Sequence, residues 1–465
     1  LFYSDFLGRN AVDLRRLEPY TGLTTKALAR KLDLSIDEFY DRYAGSDNWQ
    51  LVGTSYVGDT RHHRVIGDLT VDEVRPFVTA LVSHARQDLL ERFPEPDAQE
   101  RITGWFDQES RFVEQLLARH EGGRLVHLYK EWMCRHVQAD VDYRLTSEHF
   151  SGPELPLLLR LFLDDYSTVS ELYNEAVRAT GVGLHALSTK EGELPFAVVW
   201  VSAGRMTRTT LFFQDGALAA ADQAWSADTT DGGAATVEAM RKDGVICTVG
   251  KAIPLVIEAR GGAGARPLAL PEQGSLYVPA VHHFQAGLAG RGLLDDDPEP
   301  IYRVHLGFFE RLRESAARLR LPDYLHPAFS SDEMKAEAFV DELQDRRQEV
   351  ERQLQQMTDD GGRAEVLAHV FPDLCEKISA LKEKQREYGR NPETRHKASE
   401  VWEEIKPLER ERLVRTVEFV LRCLYIQGLD YWDSRGALLP WCIAAGGEKL
   451  YRRLIEQAEI RPESA

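Results

Sequence analysis

Cysteine is scarce in this chain. Five occur in 465 residues, at positions 134, 247, 375, 423 and 442. No two stand at CxxC spacing, and the number is odd. Both facts argue against a disulfide framework and a cysteine-rich zinc site, and they lead us to expect reduced thiols in a cytoplasmic protein. Long apolar runs are missing too. No stretch of 18 apolar residues occurs, so no spanning helix is expected. Residues Leu1 to Phe6 lack a basic region followed by an apolar core, and no signal peptide is expected. Lysine and arginine never gather beyond short pairs, and 57 of them face 75 acidic residues, for a net charge of -18. Anionic membranes and nucleic acids are therefore disfavoured partners unless the fold segregates charge. Catalytic signatures are equally thin. No Gly-x-Ser-x-Gly, HExxH or GxGxxG stands in a supporting context. Gly244 to Lys251 approaches a phosphate-binding loop, but five residues separate the glycines and Ala252 replaces the hydroxyl residue. Nucleotide hydrolysis by that route is rejected.

What the chain does have is helical patterning. Hydrophobic residues make up 43% and charged ones 28%, a balance that suits a globular core. The reading is a mainly α, multidomain protein with a small central α+β domain. Its segments are residues 1–90, a helix-turn-helix-like region with a hairpin; 91–190, helical; 191–305, α+β; and 306–465, helical.

The N-terminal segment carries the clearest local signals. Thr24 or Thr25 caps a first helix with Leu28, Ala29 and Leu32 on one stripe. Ser35 precedes Glu38 at capping-box spacing and opens a second helix, Ile36 to Tyr43. Two strands, Leu51–Val57 and Arg64–Ile66, follow around a basic tip. The stretch from Thr21 to Gly67 resembles a winged helix. That resemblance implies DNA contact through Arg61 and Arg64. Against it, the second helix carries Asp37, Glu38 and Asp41 but only Arg42, the wrong balance for approaching phosphates.

Thr70 and Glu73 form another capping box, with Val74, Phe77, Val78, Leu81 and Val82 as the apolar stripe behind it. After Gly192 the period changes. Pro195–Val201 and Arg208–Gln214 read as strands, the second closed by an Asp215-Gly216 turn, and Val245–Val249 as a third. Ile253–Ala259 suits either a buried strand or a helix. Long charged helices are expected over Asp332–Met357, Leu381–Arg390 and Ala398–Cys423.

Several constellations bear on chemistry. His127, Glu131 and Cys134 share one helical face and are candidate metal ligands, with His120 or His136 as a fourth. The same residues alternate with Leu128, Trp132 and Met133, which suits plain core packing. Asp243 with Glu258-Ala259-Arg260 resembles a nuclease-type metal arrangement, but arginine stands where lysine is expected. His282-His283 should present one ring outward from a helix starting near Pro279. Tyr425, Tyr431, Trp432 and Trp441 crowd the C-terminal part; Tyr425, Tyr431 and Trp441 are the candidate contacts for a protein partner.

The function expected is a non-enzymatic adaptor or regulatory subunit of a larger complex. The alternatives are a metal-dependent, nuclease-like hydrolase centred on residues 192–290, and a DNA-binding regulator acting through residues 21–67. Which cofactor the chain uses, if any, is not read from the sequence.

Overall fold

The computed structural model describes residues 14–43, 66–136, 145–220, 226–229, 234–261, 265–272, 274–294, 298–323, 325–390, 392–429, 433 and 439–463. The chain is mainly helical and multidomain, with a small α+β portion, and forms two compact units. One comprises residues 1–48, 83–106 and 307–456; the other comprises residues 49–82, 107–306 and 457–465.

The N-terminal helices are α1 (Glu18–Thr21), α2 (Thr25–Lys31) and α3 (Ile36–Tyr43). The Thr24 hydroxyl accepts from the Ala27 N–H at 3.3 Å, so the expected cap is in place. Ser35 and Glu38 complete their box, with the Ser35 N–H donating to the Glu38 carboxylate at 2.7 Å and the Glu38 N–H to the Ser35 hydroxyl at 3.2 Å. Between the helices, Asp33 takes a left-handed φ of 58°, a conformation Asp tolerates better than most residues. The expected hairpin over residues 51–66, with Arg61 and Arg64, lies outside the described residues apart from Ile66.

α4 (Val71–Arg92) and α5 (Pro96–Arg119) follow, then α6 (Leu125–His136) and the short α7 (Thr146–His149). The Thr70–Glu73 box is formed: the Thr70 N–H donates to the Glu73 carboxylate at 2.9 Å. Behind it, Val71, Val74, Val78 and Val82 are buried, the three-and-four spacing of one helical face.

In the sheet-bearing unit, α8 (Leu157–Asp164) and α9 (Tyr166–Thr180) lead into β1 (Glu193–Ser202), β2 (Arg205–Gln214), β3 (Ala217–Ala220) and β4 (Ser226–Asp228). Then come α10 (Ala234–Lys242), β5 (Val245–Gly250), α11 (Ile253–Arg260), β6 (Leu268–Pro271), α12 (Val278–Gly290) and β7 (Ile301–His305). β1 to β5 form one antiparallel sheet in the order β4-β3-β2-β1-β5. The Asp215-Gly216 turn joins β2 to β3 with both φ angles positive, 50° and 78°, the hairpin turn that matches strand twist. Val198, Trp200 and Leu211 face one core with Phe213 packed at its edge, as alternation predicts. That core also takes Leu158, Phe162 and Tyr173 from α8 and α9. On the opposite face, Val199 and Cys247 pack on Phe150. β1 is therefore buried on both faces, which explains its unbroken apolar run.

Ile253–Arg260 is a helix, settling the ambiguity: Ile253, Val256, Ile257 and Arg260 are buried on one stripe. A second sheet, β6, β7 and the C-terminal β10 (Glu459–Pro462), pairs β7 with a strand over 150 positions later in sequence.

The helical unit continues with α13 (Phe308–Arg313), the two-stranded β8 (Arg318–Arg320) and β9 (Glu333–Lys335), α14 (Ala336–Gln356), α15 (Asp360–Val370), α16 (Pro372–Arg390), the 34-residue α17 (Arg395–Gly428), α18 (Leu439–Gly446) and α19 (Glu448–Glu456). Among the described residues, no helix is long and apolar enough to cross a membrane.

Candidate functional site

The expected ligand and catalytic sets are dispersed or already engaged. On α6, Glu131 pairs with Arg119 and with His120 at 2.8 Å, while His127 and Cys134 are exposed. Among the described residues, no group of three or more His, Cys, Asp or Glu side chains is placed to hold a metal. His136 belongs to a different cluster. The buried Glu109 accepts from the Trp132 ring N–H at 2.6 Å, meets His136 at 2.9 Å and pairs with Arg135 at 3.3 Å. Burial alone would raise its pKa, but the hydrogen bonds of His136 and Trp132 and the charge of Arg135 leave it below the usual carboxylate range. This is a tie between α5 and α6.

The nuclease-type pattern is likewise structural. Glu258 and Arg260 lie on α11 and not on a strand. The Glu258 carboxylate accepts the Leu157 and Leu158 N–H groups at 3.2 and 2.6 Å, neutralising the exposed donors that open α8. Burial raises its pKa. Arg260 donates to the Glu299 carbonyl at 2.5 Å, and Asp243 is exposed. In the rejected phosphate-loop pattern, the Lys251 ammonium donates to the Thr210 hydroxyl at 3.0 Å. On α12, His283 is exposed and His282 half-buried, as the spacing predicts.

The aromatic segment also changes role. Trp441 is 0% exposed and meets Phe93 edge-on at 4.9 Å. Tyr425 is buried as well. Trp441 packs in the core of the helical unit, while Tyr425, 8% exposed, also lines a cleft. Tyr431 and Trp432 lie outside the described residues.

What the sequence reading missed is charge gathered by the fold. Two clefts follow successive stretches of α17 in the helical unit. The first encloses about 830 Å³ against residues 402–416. Six basic side chains line it, Lys31, Arg363, Lys382, Lys406, Arg410 and Arg412, against Asp360 and Glu409. Trp402 also lines it and is 42% exposed. One wall is fixed by Arg363, which donates to the Tyr20 carbonyl at 2.9 Å and pairs with Asp360 at 2.7 Å. Its guanidinium lies against Gly22, whose φ of 66° calls for glycine. Arg410 donates to the Leu32 carbonyl and makes no ion pair among the described residues. Lys382 pairs with Glu409 and Lys406 with Glu403.

The second cleft encloses about 490 Å³ against residues 415–425 of α17, with Arg42 and Tyr43 of α3 on its wall. Arg415 pairs with Glu411. Arg42 and Arg422 make no ion pair among the described residues; each instead lies over a ring, Tyr43 at 5.4 Å and Phe419 at 5.9 Å. Burial lowers the Arg422 pKa. Tyr43 is 5% exposed, and its hydroxyl has no hydrogen-bond partner among the described residues. Burial raises its pKa.

These cations come from positions 31, 42, 363, 382, 406, 410, 412, 415 and 422. Only the spacing of the α17 residues was a readable signal, and the wall supplied by α2 and α3 was not. No protein-family model matches this chain, and no curated protein sequence is significantly similar to it.

Proposed function

We propose that this protein is a non-enzymatic adaptor or regulatory subunit whose helical unit receives an acidic segment of a partner protein along α17. One observation carries the reading. In a chain of net charge -18, nine basic side chains line two clefts along one helix, against four acidic ones in the lining. Arg363, Lys382, Lys406, Arg412 and Arg415 are ion-paired, and Lys31, Arg42, Arg410 and Arg422 make no ion pair among the described residues. Such concentration attracts a ligand of opposite charge. Trp402 supplies an exposed aromatic of the kind enriched at interface cores. Protein is favoured over duplex DNA because α3 presents Asp37 and Glu38 to solvent, and these repel a continuous phosphate backbone.

The test is fluorescence anisotropy with a labelled peptide of repeated Glu-Glu-Leu ending in Phe, beside a short DNA duplex. The peptide should bind, with affinity falling as salt rises. The Lys382→Glu, Lys406→Glu double variant should weaken it at least about tenfold. Absence of peptide binding, or a preference for the duplex, would overturn the reading.

A further inference from the structure

Beyond general charge attraction, the second cleft has the features of a site for one particular group. We infer that it is a subsite for a carboxylate carried next to an apolar or aromatic group, as at a peptide C-terminus ending in such a residue. This inference rests on the peptide-docking reading above. Three arginines, at 42, 415 and 422, line it with two carboxylates, Asp323 and Glu418, and Arg415 is held by Glu411. Arg42 and Arg422 keep their donors uncommitted to any ion pair among the described residues, and guanidinium forks suit carboxylates. Phe371, Leu421 and Pro327 supply apolar wall beside them.

Tyr43 is the second, independent observation. A buried hydroxyl without a partner is costly to a folded protein. It persists here on the cleft wall, with the Arg42 guanidinium over its ring, where an incoming carboxylate oxygen would accept from it. The hydroxyl therefore has opposite consequences for folding and for binding. Removing it should leave stability unchanged or slightly higher, and should weaken the ligand. A residue kept only for packing would show no such split.

The experiment uses the full chain and three probes: the Glu-Glu-Leu peptide ending in Phe with a free carboxylate, the same peptide amidated, and N-acetyl-phenylalanine. Binding is read by calorimetry, and Tyr43→Phe and Arg422→Met are compared with the parent. Amidation should weaken the peptide about tenfold or more, the usual range for losing a charged hydrogen-bonded group. N-acetyl-phenylalanine should bind detectably. Tyr43→Phe should weaken both carboxylate probes without lowering the melting temperature. Arg422→Met should weaken them more. Equal binding of free and amidated peptides would overturn the subsite and leave the groove reading standing. Binding of N-acetyl-phenylalanine alone, weakened by Tyr43→Phe, would support the subsite and remove the longer groove. No binding of any probe would overturn both. If Arg422→Met fails to fold, Tyr43→Phe decides the matter.

Discussion

The two units treat polar side chains differently. In the sheet-bearing unit, buried carboxylates are consumed by structure. Glu109 holds Trp132, His136 and Arg135. Asp68 holds Arg124 and the Met206 N–H, each within 3.1 Å. Glu258 closes the start of α8. The cavity between Phe150 and Cys247 measures about 20 Å³, room for about one water molecule. In the helical unit, Arg42 and Arg422 make no ion pair and the Tyr43 hydroxyl no hydrogen bond among the described residues. The Arg160 Nε, Thr236 hydroxyl and His282 Nε2 of the sheet-bearing unit are also without a hydrogen bond there, so what distinguishes the helical unit is the cleft of about 490 Å³ that Arg42, Arg422 and Tyr43 line. Satisfied groups fix a fold. Unsatisfied ones beside open volume point to a ligand.

Four measurements sharpen or break that contrast. The largest effect concerns the cores behind the polar groups. Trp441→Ala in the helical unit and Trp200→Ala in the sheet unit should each cost about 3–5 kcal/mol in urea unfolding, as both rings are at most 4% exposed. A near-zero loss at Trp441 would return that ring to the surface and restore its contact role.

Next is Glu109→Gln, expected to cost about 1.5–3 kcal/mol because it weakens hydrogen bonds made to a charged group. The pH dependence has a definite sign. The Glu109 carboxyl sits below its unfolded pKa, so its contribution is present at neutral pH. It is lost as pH falls through the folded-state value. The variant should flatten the acid limb of the stability profile; an unchanged limb would mean the cluster is not holding the unit.

A smaller effect, about 1 kcal/mol, is expected for Ser35→Ala, which removes the cap of α3. The helix places Arg42 and Tyr43 on the cleft, so loss of carboxylate binding should exceed loss of stability. Equal losses would make α3 a packing element only.

The smallest stability effect belongs to the Lys382→Glu, Lys406→Glu pair. Both lysines are exposed or half-exposed, and surface ion pairs contribute about 0–1 kcal/mol. Folding should barely change while peptide binding falls. A large melting shift would show these cations to be structural, like those of the other unit.

Local features were the readable ones. The Ser35–Glu38 and Thr70–Glu73 boxes and the Asp215-Gly216 turn involve neighbours a few residues apart, and chain geometry alone brings them together. The alternation at Val198 and Trp200 was readable because a strand has a period of two. The same reasoning failed where identity of residue suggested chemistry. Glu258 and Arg260 looked like a metal site, yet their positions on α11 commit them to the start of α8 and to the Glu299 carbonyl. Density of aromatics near the C-terminus suggested a contact, yet Trp441 meets Phe93, nearly 350 residues earlier in sequence.

By itself, the sequence determined the helical character, the caps, the central strands and, among the described residues, the absence of a spanning helix, since each depends on short-range periodicity and composition. Tertiary structure decided which charges are neighbours. Lys31, Arg363 and Arg410 become one wall only when α2, α15 and α17 pack together. Electrostatic interaction depends on distance in space, and a chain of net charge -18 gives no hint, read linearly, of where its cations meet.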